Sequence, residues 1–324
     1  MTPSRRRFLR LAGAAAVSSA ARGARAQGYP TRPLRLIIGY PPGGSADLTA
    51  RLIGQWLSDR LGQPVVVESR PGAATNLATE AVVRAPPDGY TLLLVAPANA
   101  INASLYDRLN FNFTRDIAPV AGLIRFPNVV IVNPGVPAMT IPELIAYAKA
   151  NPGKLNMASS GNGSTIHVSG ELFKMMAGIN MIHVPYRGGA PALTDMISGQ
   201  VQVMFDNLPT SIEFIRAGKL RPLAVTTTER SHLVPDLPTV ADFVPGYEAS
   251  AWYGIGAPKG TPAEIVNVLN KEINAILGDA AAKARFEGLG AAVLPGSPAE
   301  FAALLAEETE KWGKVVKFSG AKPD

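Results

Sequence analysis

The run LRLIIGYPPGGSADLTARLIGQWL, residues 34–57, decides the architecture. Its first part, Leu34 to Gly39, is a short apolar segment of the kind that forms a buried strand. Pro41, Pro42, Gly43 and Gly44 stop it. Ser45, Ala46 and Asp47 then open an amphipathic run in which Leu48, Leu52, Ile53 and Leu57 recur at helical spacing. A strand, a glycine-rich turn and a helix start, in that order, form the opening unit of an α/β fold. The turn also has a chemical character. Amides in the first turn of a helix lack internal acceptors and sit at the positive end of the helix dipole, so the segment suits an anion. A tight strand-to-helix turn with no ligand fits the same residues.

The alternation continues outward from this unit. Further strands are expected at Val65–Glu68, Thr91–Ala96, Val129–Asn133, Leu155–Ala158, Met181–Pro185, Val201–Phe205, Leu223–Thr226 and Ala251–Ala257. Helices are expected at Ala46–Leu61, Asn76–Ala85, Ile141–Asn151, Ile166–Ala177, Pro191–Ser198 and Ser211–Ala217, with two longer ones near 262–277 and 298–318. The pattern predicts an α/β protein with largely parallel sheets. Two extended stretches, Ile117–Asn133 and Val244–Ala257, have the look of connections between domains. Two crossings make the first domain discontinuous: residues 28–125 plus 250–324, with 126–250 as the second domain.

The opening pattern recurs at residues 155–176, LNMASSGNGSTIHVSGELFKMM. Here a strand leads into Ser160, Gly161, Asn162, Gly163, Ser164 and Thr165, and then into a helix carrying His167. The G-x-G lacks the third glycine of a dinucleotide fingerprint, since Ile166 stands there, and no lysine makes it a P-loop. One such loop falls in each expected domain, which suggests a ligand carboxylate held between them. Asp206 and Asn207, between a strand and a helix, suit either the polar tail of a ligand or an ordinary N-cap. Arg187, in the turn YRGG, suits a carboxylate clamp or a plain surface position.

Catalytic and metal constellations are scarce. The chain has no cysteine, which excludes disulfides, thiolate metal sites and cysteine nucleophiles. The three histidines, His167, His183 and His232, show no metal-ligand spacing. No G-x-S-x-G elbow is present. His167 is read as a residue that structures its loop.

The first 26 residues have an arginine-rich start, an apolar middle from Leu11 to Val17, and small residues at Ala24 and Ala26. They read as a signal peptide cut before Gln27, with Ser4–Leu9 similar to a twin-arginine motif. Removing the six leader arginines (Arg5, Arg6, Arg7, Arg10, Arg22, Arg25) from the 31 basic residues leaves 25 against 25 acidic. The excess positive charge therefore belongs to the leader and says nothing of nucleic acid.

In order along the chain, "YPPGGSAD", "VVVESRPGA", "APPDGYTLL", "SSGNGSTIH", "HVPYRGGAPALTD", "GQVQVMFDNLP", "GKLRPLAVTTTERS", "LPTVADF", "WYGIGAPKGTP" and "WGKVVKFSG" resemble the signature blocks of the Bug family. These are the extracytoplasmic solute receptors of tripartite tricarboxylate transporters. The resemblance implies a two-domain periplasmic-binding-protein fold of type II with the ligand cleft between the domains. A ligand carboxylate would be held by Pro42, Gly43, Gly44, Ser45, Ala46 and Asp47 on one side and by residues 160–165 with His167 on the other. Asp206 would meet the far end of the ligand, and Tyr40 and Trp252 would line the cleft. The family's second block is richer in glycine than here, where Ala74, Thr75 and Ala78 make that wall bulkier.

The resulting expectation is a periplasmic protein, monomeric and without enzymatic activity, cofactor or metal. It would bind a small mono- or dicarboxylate and hand it to membrane transporter subunits. Two rival readings are a receptor that reports to a membrane signalling protein and a secreted hydrolase using Ser160 or Ser164 with His167.

Overall fold

The first strand, β1 (Leu34–Ile38), alternates with helices as the sequence implies, and its apolar side chains are buried. A computed structural model describes residues 28–323; the expected leader lies outside the described residues. β1 pairs in parallel with β2 (Val65–Ser69) and β3 (Thr91–Val95). Helix α1 (Ser45–Leu61) connects β1 to β2 and packs Ala50, Ile53 and Leu57 on this sheet. Gly62, in the left-handed region, ends it. Helix α2 (Asn76–Val83) leads to β3, and α3 (Pro97–Leu105) and the short α4 (Phe113–Asp116) follow it.

The chain then runs through β4 (Ile117–Val132), a single strand of 16 residues that replaces the shorter strand expected at 129–133. Its partners change along its length. From Ile117 to Pro127 it pairs antiparallel with β9 (Ser250–Pro258), and β10 (Ala292–Val293) lies on its other edge. From Asn128 onward it pairs with β7 (Val203–Asn207) and, from Val129, with β8 (Arg221–Val225). The sheet path is β2-β1-β3-β9-β4-β7-β5-β6, where β5 is Asn156–Ser159 and β6 is Ile182–Pro185. β4 is thus the spine shared by two lobes. Among the described strands, parallel pairs are those of β1 with β2 and β3 and of β5 with β6 and β7, with an isolated parallel bridge from Val225 to Thr239; every strand pair made by β4 and β9 is antiparallel. The largely parallel expectation fails there because β9 returns to the first lobe from the second and is inserted between β3 and β4.

The second lobe carries α5 (Ile141–Ala150), α6 (Thr165–Ala177), α7 (Gly189–Ser198) and α8 (Leu208–Arg216). Helices α9 (Ala263–Leu277) and α10 (Ala280–Glu287) return to the first lobe. The 22-residue α11 (Pro298–Ser319) ends the fold, opened by a reciprocal Ser297–Glu300 capping box. It serves both lobes. Phe301 and Leu305 pack with Ile37, Val95 and Trp252, whereas Trp312, Val315 and Val316 pack with Val130, Phe173 and Phe205. Among the described residues no helix is long and apolar enough to cross a membrane.

Candidate functional site

The turn after β1 is built to leave amides free. Gly43 sits in the left-handed region at φ +90°, and its N–H donates to Asp47 Oδ2 at 3.1 Å. Asp47 is fixed in turn by Arg51, whose Nε and Nη2 lie 3.0 and 2.9 Å from its two oxygens. Burial opposes ionisation of Asp47, but Arg51 and the Gly43 amide hold its carboxyl below the usual range. The N-cap, Gly44, has no side chain to cap α1, so the first-turn amides of Ser45, Ala46 and Asp47 find no acceptor among the described residues. Pro42 and Gly43 are exposed at the rim, and Tyr40 is half-buried behind them.

The second loop uses a different device. Gly161 (φ +120°) and Gly163 (φ +74°) both require the glycine-favoured region. Ser164 caps α6, accepting from the His167 amide at 3.2 Å and donating to Gly161 O at 2.7 Å. The amides of Thr165 and Ile166 remain without an acceptor among the described residues. His167 is buried beneath the loop, where its Nδ1 accepts from the Gly163 amide at 3.2 Å. That bond fixes the neutral tautomer with hydrogen on Nε2, which faces Glu171 Oε1 at 3.8 Å. His183 from β6 stacks on His167 with centroids 3.8 Å apart and takes Ser159 Oγ at 2.6 Å. Burial comes first, helped at His167 by the adjacent His183 and at both rings by Lys174, and pushes His167 down to about 3 and His183 down to about 4, so both are neutral at pH 7.

Contacts between the lobes bring these loops together. Asn207 Nδ2 donates to Ser45 Oγ at 3.3 Å, and Ser45 Oγ lies 2.8 Å from Tyr253 Oη. Gly188, the bare N-cap of α7, lies beside the Pro41 ring, where an added Cβ would make ordinary contact with Cγ at 3.9 Å. A Cβ at Gly161 would lie 3.3 Å from Tyr186 O, which joins the second loop to this same turn. A third helix start, uncapped like that of α1, therefore borders the cleft, a position the YRGG segment had marked only through Arg187. Gly163 backs onto α3, where an added Cβ would meet Leu105 Cδ2 at 2.6 Å and Asn102 Oδ1 at 3.3 Å. Asn102 Nδ2 in turn holds Ala74 O and Asn76 Oδ1.

Asp206 is buried at the end of β7. Its Oδ2 accepts from Thr210 Oγ1 at 2.7 Å and from Ser211 Oγ, while Oδ1 has no partner and faces Gly189. Burial raises its carboxyl to about 6 against the pull of these hydroxyls.

Trp252 is not with the others. It is fully buried in the first lobe's core, edge-on to Phe301, and its indole N–H donates to Glu308. Successive side chains on β9 point to opposite faces, so Tyr253 is the aromatic that reaches the first loop. Burial pushes the Tyr253 phenol up to about 12. Sequence reasoning also passed over Asn207 as the residue that spans the lobes, and Asn102. The serine–histidine pair that the fold makes is Ser159–His183, fully covered on the serine side; Ser164 is spent on its loop and His167 on Gly163. Among the described residues no group of three or more histidine or acidic side chains is placed to hold a metal ion.

The family model described as the tripartite tricarboxylate transporter family receptor matches residues 49–320. The chain belongs to that family. It is 37% identical to Protein BugT of Bordetella pertussis, over 97% of this chain and 96% of that protein. Among solved structures it is similar to Rpa4515 of R. palustris with adipate, at 39% identity and a TM-score of 0.86, covering 91% of this chain and all of that one. MatC of Rhodopseudomonas palustris, with bound malate, is 32% identical with a TM-score of 0.82, covering 89% of this chain and 100% of that one. This receptor thus has the two-domain α/β architecture of periplasmic binding proteins.

Proposed function

We propose that this chain is a periplasmic solute-binding protein that closes on a small mono- or dicarboxylate and delivers it to the membrane subunits of a tripartite transporter. The observation that carries this reading is a pair of helix starts with first-turn amides left over, one in each lobe. Ser45–Asp47 and Thr165–Ile166 offer five amides without an acceptor among the described residues, at the positive ends of α1 and α6. A carboxylate between them satisfies both, and only when the lobes are together. Closure is then favoured by the ligand's contacts to the second lobe. Residues 28–125 with 250–324, and 126–250, are taken as the moving units. Adipate and malate in the similar R. palustris structures support the ligand class.

No side chain in the cleft is asked to do chemistry, because the Ser159–His183 pair lies beneath the second loop with its serine fully covered. The leader is assigned to export by the twin-arginine route, and the mature protein acts as a monomer. The reading is tested by thermal unfolding against a panel of carboxylates and neutral sugars. A ligand specific to the folded state raises the melting temperature with concentration. Carboxylates are expected to do so; a shift with sugars alone defeats the reading.

A further inference from the structure

Two strand passages join the lobes. β4 exchanges partners between Pro127, opposite Ser250, and Asn128, opposite Asn207. Just before β9, the Ala249 amide still bonds Thr226 O in the second lobe. Helix α11 crosses beside them, with Leu305 in one core and Trp312 in the other. Between these two residues stands Glu308, buried at 5% exposure. A single oxygen, Oε2, accepts from Trp252 Nε1 at 2.9 Å and from Trp312 Nε1 at 2.7 Å. Oε1 pairs with Lys311 at 2.6 Å, and Lys311 also holds Glu248 at 2.9 Å, two residues before β9 begins.

This arrangement is costly as a means of stability. A buried charge network is often no better than apolar side chains of the same volume. It is demanding as geometry, because one oxygen must meet two indoles anchored in different cores. An apolar contact tolerates sliding; two hydrogen bonds to one atom do not.

We propose that Glu308 is the positioning residue of the interlobe hinge, setting the angle at which the two cleft loops face each other. The proposal rests on the reading that solute is bound by closure of the lobes. It is tested with Glu308→Leu, which fills the space without accepting, and Glu308→Gln, whose amide oxygen can take both indoles. Small-angle scattering of the ligand-free proteins is expected to shift to a larger radius for the leucine variant and to match wild type for the glutamine variant. Calorimetric titration with adipate and malate is expected to give about tenfold weaker binding in Glu308→Leu, the factor for a competent arrangement reduced to about a tenth of the population, with recovery in Glu308→Gln. The melting temperature of Glu308→Leu is expected to fall, because two buried indole N–H groups lose their acceptor, so scattering and binding are read well below its unfolding range. If that variant does not fold, Trp252→Phe and Trp312→Phe, each losing one donor, are measured in its place with the same expectation. Unchanged scattering and affinity in a folded variant without these bonds overturn the proposal. If wild type binds neither acid, the reading of the cleft fails, and the scattering comparison still decides the hinge.

Discussion

Replacing Gly43 by alanine isolates the anion-binding turn from the rest of the fold. Gly43 has φ +90°, and an added Cβ would meet nothing within 4 Å. The substitution therefore carries no clash, only the cost of a left-handed L-residue, about 1–2 kcal/mol. Gly62, at the other end of the same helix, has φ +65° and equally open surroundings. Gly62→Ala is a control for the cost of a positive φ, at a site with no part in the cleft. Both variants should lose about 1–2 kcal/mol of stability. Only Gly43→Ala should lose affinity, because relaxing that residue moves the bond to Asp47 and re-aims the amides of Ser45–Asp47. A charge-assisted hydrogen bond from one of these amides to the ligand carboxylate is worth about 1.5–3 kcal/mol. Breaking one predicts roughly ten- to a hundredfold weaker binding. The assay is calorimetric titration with the carboxylate that most raises the melting temperature, alongside denaturant unfolding of both variants. Equal affinity in the two would refute the assignment of this turn to the ligand.

Acidification should destabilise the protein. His167 and His183 have folded values of about 3 and 4, below the ordinary 6.5, so the unfolded chain binds more protons in that window and stability falls as pH drops from about 6.5. Asp206, raised to about 6, works in the opposite direction, gaining on protonation, but its single shift is smaller than the two histidine shifts together. The melting temperature should thus fall between about pH 7 and pH 4, and His183→Asn should flatten the profile; an unchanged profile counts against a neutral buried pair. Gly39→Ala should destabilise by about 1–3 kcal/mol or more, since its Cβ would lie 2.5 Å from Thr75 Cβ and 2.8 Å from the Thr75 backbone; denaturant unfolding checks this. Exchanging Arg5 and Arg6 for lysine should leave the precursor in the cytoplasm on cell fractionation, and normal export of that variant removes the twin-arginine assignment.

Much of this was legible because local signals were strong. The first loop was readable from a strand, two prolines, two glycines and an amphipathic helix in immediate succession. The second loop followed from the same logic. Helix α3 was not readable. Seven of its nine residues are buried, so it has no polar face, and its segment PANAINASL shows no helical period. Its asparagines are instead structural, with Asn99 reaching Thr75 and Thr79 and Asn102 reaching the backbone of Ala74. They hold a turn in which Ala73, Ala74 and Thr75 all take positive φ, and at Ala74 and Thr75 the family pattern favours glycine. The extended stretch Ile117–Asn133 was legible, but as a connection with a strand only at its end, because RFPN interrupts it; Pro119 and Pro127 instead sit within one continuous strand. Trp252 and Tyr253 illustrate a limit of strand reading. Adjacent residues face opposite sides, and nothing local says which side is the core. The stacking of His167 on His183 joins a helix to an edge strand and leaves no mark in sequence spacing.

If one ligand carboxylate is gripped by two helix starts from different lobes, a crystal structure of the ligand-saturated protein will show it. Carboxylate oxygens are expected within about 3 Å of an amide from Ser45–Asp47 and of one from Thr165–Ile166. A ligand whose carboxylate touches neither helix start, or only one of them with the lobes apart, would overturn the two-lobe clamp.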